Sequence, residues 1–268
     1  MSLRITHNIE AMNATRNLQA NTAKISASME KLSSGYRINR AADDAAGLGI
    51  SESMRSQIRG MAQAQRNIQD GVSMVQTAEG NLDEVHSMLQ RIRELAVQYK
   101  NGSIDDTART SIQNEVNQLA SEIDRIGSQA QFNGIHLLDG SATVSFQVGA
   151  NDAEQIGITF LNLAATVGTA YSTLGTGNNS DISEIDAAIT AVSAARGEMG
   201  AVQNRLDHTL SVSAAYQENL TSAESRIRDV DMAEEMVNLT KMQVLQQAGT
   251  AMLAQANQQP QSVLKLLG

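Results

Sequence analysis

The chain has 268 residues, enough for one or two domains, and a formal net charge of −9 from 29 acidic and 20 basic side chains. This acidic balance argues against nucleic-acid binding, which needs a clustered basic face, and no run of 18 apolar residues is present that could cross a membrane. Without cysteine, the chain has no disulfide, thiolate metal ligand or thiol nucleophile. Aromatic residues make up only 3%, so the apolar residues suit the thin seam between paired helices better than a thick core.

The first 33 residues predict a helical arm. Its apolar pattern weakens between Ala14 and Thr22, where Asn, Gln and Thr dominate. Gly35 follows two serines and suits a helix end, and Asp43 and Asp44 are placed to cap the next helix. The apolar positions of the arm are Ile5, Ile9, Met12, Ile25, Met29 and Leu32.

The stretch from Ile50 to Tyr99 has apolar residues mostly three or four positions apart and no proline, which predicts one long helix. At about 1.5 Å per residue it would span roughly 75 Å, so it needs partner helices of similar length. We therefore predict a mainly α fold, an elongated antiparallel helical bundle or coiled coil formed by the N- and C-terminal segments, with a small β-hairpin insert. The seam residues are Ile50, Met54, Ile58, Met61, Ile68, Val72, Val75, Ala78, Leu82, Val85, Leu89, Ile92, Ala96 and Tyr99.

Several elements follow Tyr99. Residues 105–129 predict a third helix that folds back antiparallel on the long one, because the link between them is short. Around 132–165 the period changes to two, with apolar and polar residues alternating on both sides of a turn at 149–152, which predicts the β-hairpin. Residues 166–181 predict a loop, and an acidic pair at 181 and 184 marks a new helix start.

Apolar residues at helical spacing then run from Ile185 to Leu253 and predict one long last helix, with Val237, Val244, Leu245 and Met252 in its seam. Residues 1–42 carry six basic and two acidic side chains, whereas 229–268 carry two basic and four acidic ones. Opposite charge suits two arms that lie side by side, although solvated faces explain the charges equally well.

No catalytic or metal-binding pattern is found. The histidines, His7, His86, His136 and His208, have no carboxylate at metal-ligand spacing, and phosphate-binding and nucleophile motifs are missing. Paired acids at helix starts suit capping better than acid–base chemistry, which needs a concave site. We therefore predict a protein that is not an enzyme and that uses no cofactor or metal. The 12 methionines are predicted mostly to fill the core, with an adaptable partner-binding surface as the alternative.

Glycines inside the predicted helices each cost about 1 kcal/mol relative to alanine. Several such costs indicate close approach of helices or of subunits at those points, and random tolerance is the alternative. These glycines are Gly60, Gly71, Gly80, Gly197, Gly200 and Gly249.

Several sequence blocks resemble those of bacterial flagellins, the subunits of the flagellar filament. Together they cover almost all of the predicted helices. Where larger flagellins carry outer variable domains, this chain has roughly 40 residues, so it resembles a minimal flagellin with the two core domains only. The blocks are SLRITHNIEAMNATRNL, KLSSGYRINRAADDAAGL, LQRIRELAVQ, EIDRI with QFNGIHLLDG, GAVQNRL and LQQAGTAMLAQANQQPQSVLKLL.

The resemblance implies two domains. Residues 1–44 and 229–268 would pair as an inner terminal coiled coil, and 45–228 would form a rod-like core domain with helices at about 45–100, 105–129 and 182–228 and a β-hairpin region at about 132–165. Copies would stack head to tail and sideways into a helical homopolymer on the cell surface that serves motility. The resemblance also implies unfolded secretion through the flagellar type III apparatus, an export chaperone on the C-terminal arm, and hook-associated and cap proteins as partners.

Two sets of recognition residues follow from the same resemblance. The block around 89–98 resembles the surface read by the vertebrate toll-like receptor for flagellin, and intersubunit packing is the alternative role of its residues. The C-terminal leucines resemble those read by a cytosolic inflammasome sensor and also contribute to assembly. The first set is Gln90, Arg91, Glu94, Leu95 and Glu115, and the second is Val263, Leu264, Leu266 and Leu267.

The interrupted seams of the two arms bury too little apolar area to offset the ordering of the backbone, at about 1–2 kcal/mol per residue. We therefore expect the arms to be disordered in the monomer and ordered in the polymer, so that a protease trims the monomer to roughly 45–228. Two other functions stay open: a hook–filament junction protein, which shares the arms and long helices, and an intracellular coiled-coil adaptor or signalling rod.

Overall fold

The computed structural model describes residues 8–140, 143–168 and 181–267, with the backbone alone for Asp181 and for 259–267. Long helices dominate it and two antiparallel strand pairs complete it, which confirms the predicted mainly α class with a small hairpin. The chain divides into two compact units, the terminal unit (1–56 with 219–268) and the central unit (57–218). The elements are α1 (Ile9–Ser34), α2 (Ala45–Tyr99), α3 (Asp106–Gln129), β1 (Gln131–Phe132), β2 (Ile135–His136), β3 (Thr143–Gln147), β4 (Gln155–Thr159), α4 (Leu163–Val167), α5 (Asp181–Arg228) and α6 (Met232–Leu267).

In the central unit, α2 lies between two antiparallel helices. Three side-chain pairs join it to α5, and the helices are antiparallel because the residue numbers rise on one as they fall on the other. On α3, the Arg109 guanidinium lies 5.6 Å from the centre of the Tyr99 ring at the end of α2. The α2–α5 pairs are Gln65–Gln217 at 2.7 Å, Asp83–Arg196 at 2.9 Å and Arg93–Asp186 at 2.6 Å.

The core of the central unit follows the predicted α2 seam, which is mostly buried from Met61 to Ala96. Ala64, Met74 and Leu95 lie outside that seam and are buried as well. Because a second element packs on α2 beside α5, the hairpin near Gly71 and α3 near Arg91, its apolar stripe is wider than a two-helix seam. The prediction for Ile50 is wrong, since its side chain, in the terminal unit, is 51% exposed.

The predicted hairpin is confirmed as β3 paired antiparallel with β4, in a register that sets Phe146 opposite Ile156. Ile156 and Ile158 are buried and join the core, while the residues between them face outward. Helix α2 carries a glycine where the hairpin approaches it. A Cβ atom on Gly71 would lie 3.3 Å from the Phe146 ring, so the small residue permits this contact.

The strand pair β1–β2 is a feature that hydrophobic alternation does not predict. Its turn residues, Asn133 and Gly134, have φ angles of 48° and 81°, as a two-residue type I′ hairpin turn requires. An Asn-Gly dipeptide indicates such a turn, but flanking strands of two residues are too short to show a period. Helix α4 likewise takes the place of the start of the predicted 166–181 loop, and residues 169–180 of that loop lie outside the described residues.

Helix starts follow the predicted capping residues. The carboxylates of Asp44 and Asp105 each accept a backbone N–H from the first turn of α2 and α3, at 2.8 and 2.9 Å. Asp43 has a different role, because its carboxylate accepts the N–H groups of Arg40 at 2.9 Å and Asn39 at 3.1 Å and closes the turn before α2. These backbone hydrogen bonds, that from Arg40 first, hold the pKa of Asp43 below its ordinary value.

The single helix that the apolar period predicts after 182 is wrong, because α5 ends at Arg228 and α6 begins at Met232. The end of α5 agrees with the helix of about 182–228 that the resemblance implies. The Asp231 carboxylate caps α6 by accepting the N–H of Ala233 at 2.9 Å. The break is held by a clasp between residues 35–37 and 227–230. Gly35, at φ 75°, ends α1, and its carbonyl oxygen accepts the Val230 N–H at 3.0 Å.

The Arg228 side chain completes this clasp within the terminal unit. It is 15% exposed, donates to the Glu52 carboxylate at 2.7 Å and lies 4.8 Å from the centre of the Tyr36 ring. The charge is therefore covered by an opposite charge on one side and an aromatic face on the other. Its hydrogen bond, with a second one from Arg55, lowers the pKa of Glu52.

Candidate assembly surface

Helices α1 and α6 pair along a seam that is small and polar. Its buried and half-buried residues recur at alternating steps of three and four, the spacing of a coiled coil. Most are smaller or more polar than the Leu and Ile that usually fill such positions, which explains why the sequence pattern looked weak from Ala14 to Thr22. The seam residues are Ala11, Ala14, Leu18, Asn21, Ile25, Ser28 and Leu32 on α1, and Glu235, Leu239, Met242, Gln246, Gly249, Leu253 and Ala256 on α6.

Hydrogen bonds across the seam fix one register. The residue numbers of the partners rise on α1 and fall on α6 in nearly equal steps, so the pair is antiparallel. Ser28 is 2% exposed, and a polar contact buried at that depth favours one register, because another alignment breaks its hydrogen bond to Glu235. The bonds run from Asn8 Nδ2 to the Ala256 carbonyl oxygen at 2.8 Å, from Asn21 Nδ2 to the Met242 carbonyl oxygen at 2.7 Å, and from Ser28 Oγ to the Glu235 carboxylate.

Nine other large apolar residues of the two helices point away from this seam. Their predicted seam positions are wrong for Ile9, Met12, Met29, Val237, Val244, Leu245 and Met252. The physical reason is that each helix has one partner helix within the chain, so a single seam covers only some of its apolar residues. This outward apolar face comprises Ile9, Met12, Met29, Met232, Met236, Val237, Val244, Leu245 and Met252, which are between 48% and 69% exposed.

On α6 part of the outward apolar face forms a shallow groove. Its residues recur as neighbouring pairs one helical turn apart, with one threonine and one lysine beside the apolar side chains. A contiguous apolar surface of this kind marks an interaction site, since single exposed apolar residues are ordinary but clustered ones are not. The groove is lined by Met236, Val237, Thr240, Lys241, Val244 and Leu245.

Among the residues whose side chains are described, no ion pair joins α1 to α6. Attraction between opposite charges therefore does not explain the pairing of the two helices there. The nearest ion pair, Arg40 with Glu30 at 2.9 Å, links α1 to the turn that follows it. Of the two explanations for the opposite charges of the arms, the described part of the chain therefore favours solvated faces.

A second surface, which is polar and lies in the central unit, carries four of the predicted receptor residues. The Arg91 guanidinium donates to one Glu115 carboxylate oxygen from Nε at 3.0 Å and Nη2 at 2.8 Å, and to Glu94 from Nη1 at 3.0 Å. These hydrogen bonds, Glu115 first, raise the pKa of Arg91 above its ordinary value. Gln90 bonds the His86 ring at 2.8 Å on the same helix.

Leu95, the fifth predicted receptor residue, is 2% exposed and packs in the core beneath this surface. The structure thus brings together Arg91, Glu94 and Glu115 as an exposed network and does not bring Leu95 to the surface. For the second predicted set, 263–267, the structure gives a helical backbone at the end of α6, and the side chains lie outside the described ones.

Across the described residues, no group of three or more His, Asp or Glu side chains is placed to hold a metal ion. No helix in that part of the chain is long and apolar enough to cross a membrane. The prediction that methionine mostly fills the core holds for Met61, Met74 and Met199, and it is wrong for the five methionines of the outward apolar face.

The chain is similar to flagellins over nearly its whole length. Residues 5–143 match the bacterial flagellin N-terminal helical region, and residues 182–267 match the bacterial flagellin C-terminal helical region. A flagellin of Halalkalibacterium halodurans is 54% identical over 270 residues, covering 98% of this chain and 99% of that one. The flagellar filament 30.7 kDa core protein of Treponema maltophilum is 46% identical over 98% of this chain and 99% of that one. The crystal structure of Bacillus cereus flagellin matches with a TM-score of 0.50 and 29% identity over 55% of this chain and 88% of that one.

Proposed function

The chain belongs to the bacterial flagellin family, and from this premise we propose that it is a filament subunit, a structural protein that assembles outside the cell into a helical homopolymer for motility. The observation that carries the proposal is the outward apolar face of the α1–α6 pair. Nine large apolar side chains lie about half in water there, and burying the exposed half of each contributes about 1 kcal/mol. Neighbouring copies of the chain would supply that burial.

The same face supports the predicted inner domain, 1–44 with 229–268, as the innermost layer of the polymer. Contacts between unlike surfaces of identical copies generate open helical polymers when the rotation between copies does not close a ring, whereas contacts between like surfaces close into dimers. In the structure of the single chain α1 and α6 are helical, and their ordering on polymerisation stays a prediction. Limited proteolysis of monomer and polymer tests it, since trimming to roughly 45–228 should occur in the monomer alone.

Two neighbouring positions on α6 allow a sharp test of the apolar groove. Val244, which lines it, is 58% exposed, and Gln243 is exposed beside it and outside the groove. Replacing either with aspartate adds the same charge to the same helix turn. Because both side chains face water in the single chain, both variants should keep the wild-type circular dichroism and unfolding midpoint.

In seeded polymerisation followed by light scattering, Val244→Asp should lose polymer formation, because an unpaired carboxylate would have to be buried between copies at a cost of several kcal/mol. Gln243→Asp should polymerise at close to the wild-type rate. Polymer growth by Val244→Asp at the wild-type rate would contradict the assignment of this groove to the contact between copies.

The hook–filament junction protein is the second candidate, and it differs from the filament subunit in what the purified protein does alone. A filament subunit added to short filament seeds extends them by micrometres, as electron microscopy would show, whereas a junction protein adds a short layer and stops. The alternative of an intracellular adaptor or signalling rod does not fit a chain of the flagellin family.

Export through the flagellar type III apparatus and binding of an export chaperone, hook-associated proteins and a cap protein extend the proposal. The groove on α6 supports the chaperone, because an apolar surface that is free before assembly needs cover to prevent premature association. If the chaperone uses the groove, Val244→Asp should weaken its binding and Gln243→Asp should not, as measured by calorimetry with the purified chaperone.

Recognition by the toll-like receptor for flagellin is proposed for Arg91, Glu94 and Glu115, with Gln90 beside them. Arg93 provides a matched control, because it is another half-exposed arginine of α2 and forms an ion pair with Asp186 at 2.6 Å. In receptor reporter cells, Arg91→Ala should reduce signalling by the purified protein, and Arg93→Ala should leave it close to wild type. Equal responses from both variants would show that the receptor does not depend on the Arg91 network.

Leu95 would then act by supporting that surface from below. Truncating a fully buried leucine costs about 2–5 kcal/mol, so any loss of signalling by Leu95→Ala has to be compared with its loss of unfolding free energy. For Val263, Leu264, Leu266 and Leu267 the proposed roles in sensor recognition and assembly rest on the resemblance of the C-terminal block. Alanine variants assayed separately for polymerisation and for inflammasome activation would distinguish those two roles.

A further inference from the structure

Eight methionines of this chain differ in exposure between the two units, and three others, Met54, Met88 and Met242, are half-buried. In the terminal unit five of them are between 48% and 65% exposed, whereas in the central unit three are at most 7% exposed. Exposure at this level leaves a thioether open to reagents in the solvent, and burial in a packed core does not. The exposed set is Met12, Met29, Met232, Met236 and Met252, and the buried set is Met61, Met74 and Met199.

We propose that the five exposed methionines form an oxidant-sensitive modification site, and that their oxidation by hydrogen peroxide blocks polymerisation. The reaction is a two-electron oxygen transfer. A sulfur lone pair attacks one peroxide oxygen, the S–O bond forms, and the O–O bond breaks to release hydroxide. The hydroxide then takes the proton from the oxygen now bound to sulfur, so that one methionine and one peroxide give one methionine sulfoxide and one water. The proposal rests on the proposed filament function, because it places these side chains in contacts between copies.

The position of the sulfurs gives the oxidation its effect on assembly. Met236 lies in the α6 groove with Val237, Val244 and Leu245, which have no polar side-chain atoms. The groove also holds Lys241 and Thr240, whose hydroxyl already donates to the Met236 carbonyl oxygen at 2.8 Å. A sulfoxide oxygen there is a strong hydrogen-bond acceptor, and covering it with another apolar surface leaves it unsatisfied. In the single chain the same oxygen faces water at little cost. The fold of the single chain should therefore tolerate the modification, while the contact between copies should not.

Assembly should in turn protect the sulfurs, because a side chain covered by a neighbouring copy is closed to peroxide. The monomer would thus be the vulnerable form and the finished filament the resistant one. The central unit provides an internal standard in both, since Met61, Met74 and Met199 are buried within a single chain.

The first experiment exposes the full-length monomer to hydrogen peroxide and follows each methionine by peptide mass spectrometry. The five exposed residues should gain one oxygen at least about tenfold faster than the three buried ones. Equal rates across the eight residues would overturn the proposal whether or not the chain polymerises. In filaments, the rates at the five residues should fall to those of the buried set, and unchanged rates would refute their burial between copies.

The second experiment compares polymer yield after peroxide with the untreated yield of the same protein. The wild type and Met199→Leu should lose most of their yield, while the variant with leucine at all five exposed positions should keep its own untreated yield. Methionine sulfoxide reductases of both stereospecificities, with a thiol reductant, should restore the oxidised wild type. Failure of this restoration would overturn the proposal. Failure of the untreated wild type to polymerise would instead refute the proposed function.

Discussion

Two glycines of α2, Gly71 and Gly80, allow a test of whether a small residue is needed for packing within the chain or for contact with another copy. At Gly71 a Cβ atom would lie 3.3 Å from Cδ1 and Cγ of Phe146 and 3.5 Å from Cδ1 of Leu206. At Gly80 no atom beyond the adjoining backbone of the same helix lies within 4 Å of the same added Cβ. Both residues are inside α2, so the gain in helix propensity on replacement by alanine is the same.

That shared gain is about 1 kcal/mol for each glycine-to-alanine replacement. Gly80→Ala should gain this whole amount of unfolding free energy, because no neighbouring group of the chain opposes the added methyl group. At Gly71 the Phe146 ring has to move by a few tenths of an ångström, and overpacking of a filled core costs about 1–3 kcal/mol. We therefore expect Gly71→Ala to be less stable than Gly80→Ala by about 1–3 kcal/mol.

Urea unfolding of the two monomers, followed by circular dichroism at 222 nm, measures this difference. The thermal midpoints should differ by about 2–4 °C for each kcal/mol. Equal stabilisation of both variants would refute the inferred close packing of the hairpin on α2. If Gly80 is small because a neighbouring copy approaches it, Gly80→Ala should also polymerise more slowly than the wild type although its monomer is more stable.

Three further predictions concern single interactions. Replacing Arg228 with methionine should lower the unfolding free energy by about 1–3 kcal/mol in urea titrations, because the hydrogen bond to Glu52 and the contact with the Tyr36 ring are both lost. Glu52 has a lowered pKa in the fold, so its contribution to stability is complete above its ordinary pKa near 4.5 and disappears as the pH falls through the lower folded value. The stability difference between the wild type and Glu52→Gln should therefore be largest near pH 7 and vanish near pH 2, and a constant difference would contradict this. Asn133→Val should destabilise the central unit by about 1–3 kcal/mol in the same titration, because a β-branched residue is strained at a φ of 48°, while Asn133→Gly should be nearly neutral.

The long helices of the central unit could be predicted because they bury their large apolar residues within one chain. From Met61 to Ala96 the apolar period and the buried stripe nearly coincide. The width of that stripe could not be predicted from a two-helix template, and Leu95 shows the consequence. Its position next to the predicted seam becomes a core position because α3 and α5 both pack on this part of α2.

The terminal pair could not be predicted in the same way, because hydrophobicity does not say whether a residue is covered by its own chain or by another. Val237 and Val244 have helical spacing and belong to the exposed face, whereas Asn21 and Ser28 are polar and lie in the seam. A search for small residues at alternating steps of three and four could have found the seam. The network of Arg91 with Glu115 joins residues 24 positions apart in sequence, so it needed the antiparallel return of α3 to become visible.

The single alignment of α1 with α6 has a consequence for the uniformity of the population. Were one helix to slide by a turn, the Ser28 contact would be lost and the valines and methionines of the two helices would face each other at different heights. Because the polar contacts disfavour that slide, the α1–α6 pair presents the same exposed surface in every molecule. A polymer of identical copies needs each copy to present the same surface, so a weak seam with a strict alignment keeps the copies interchangeable.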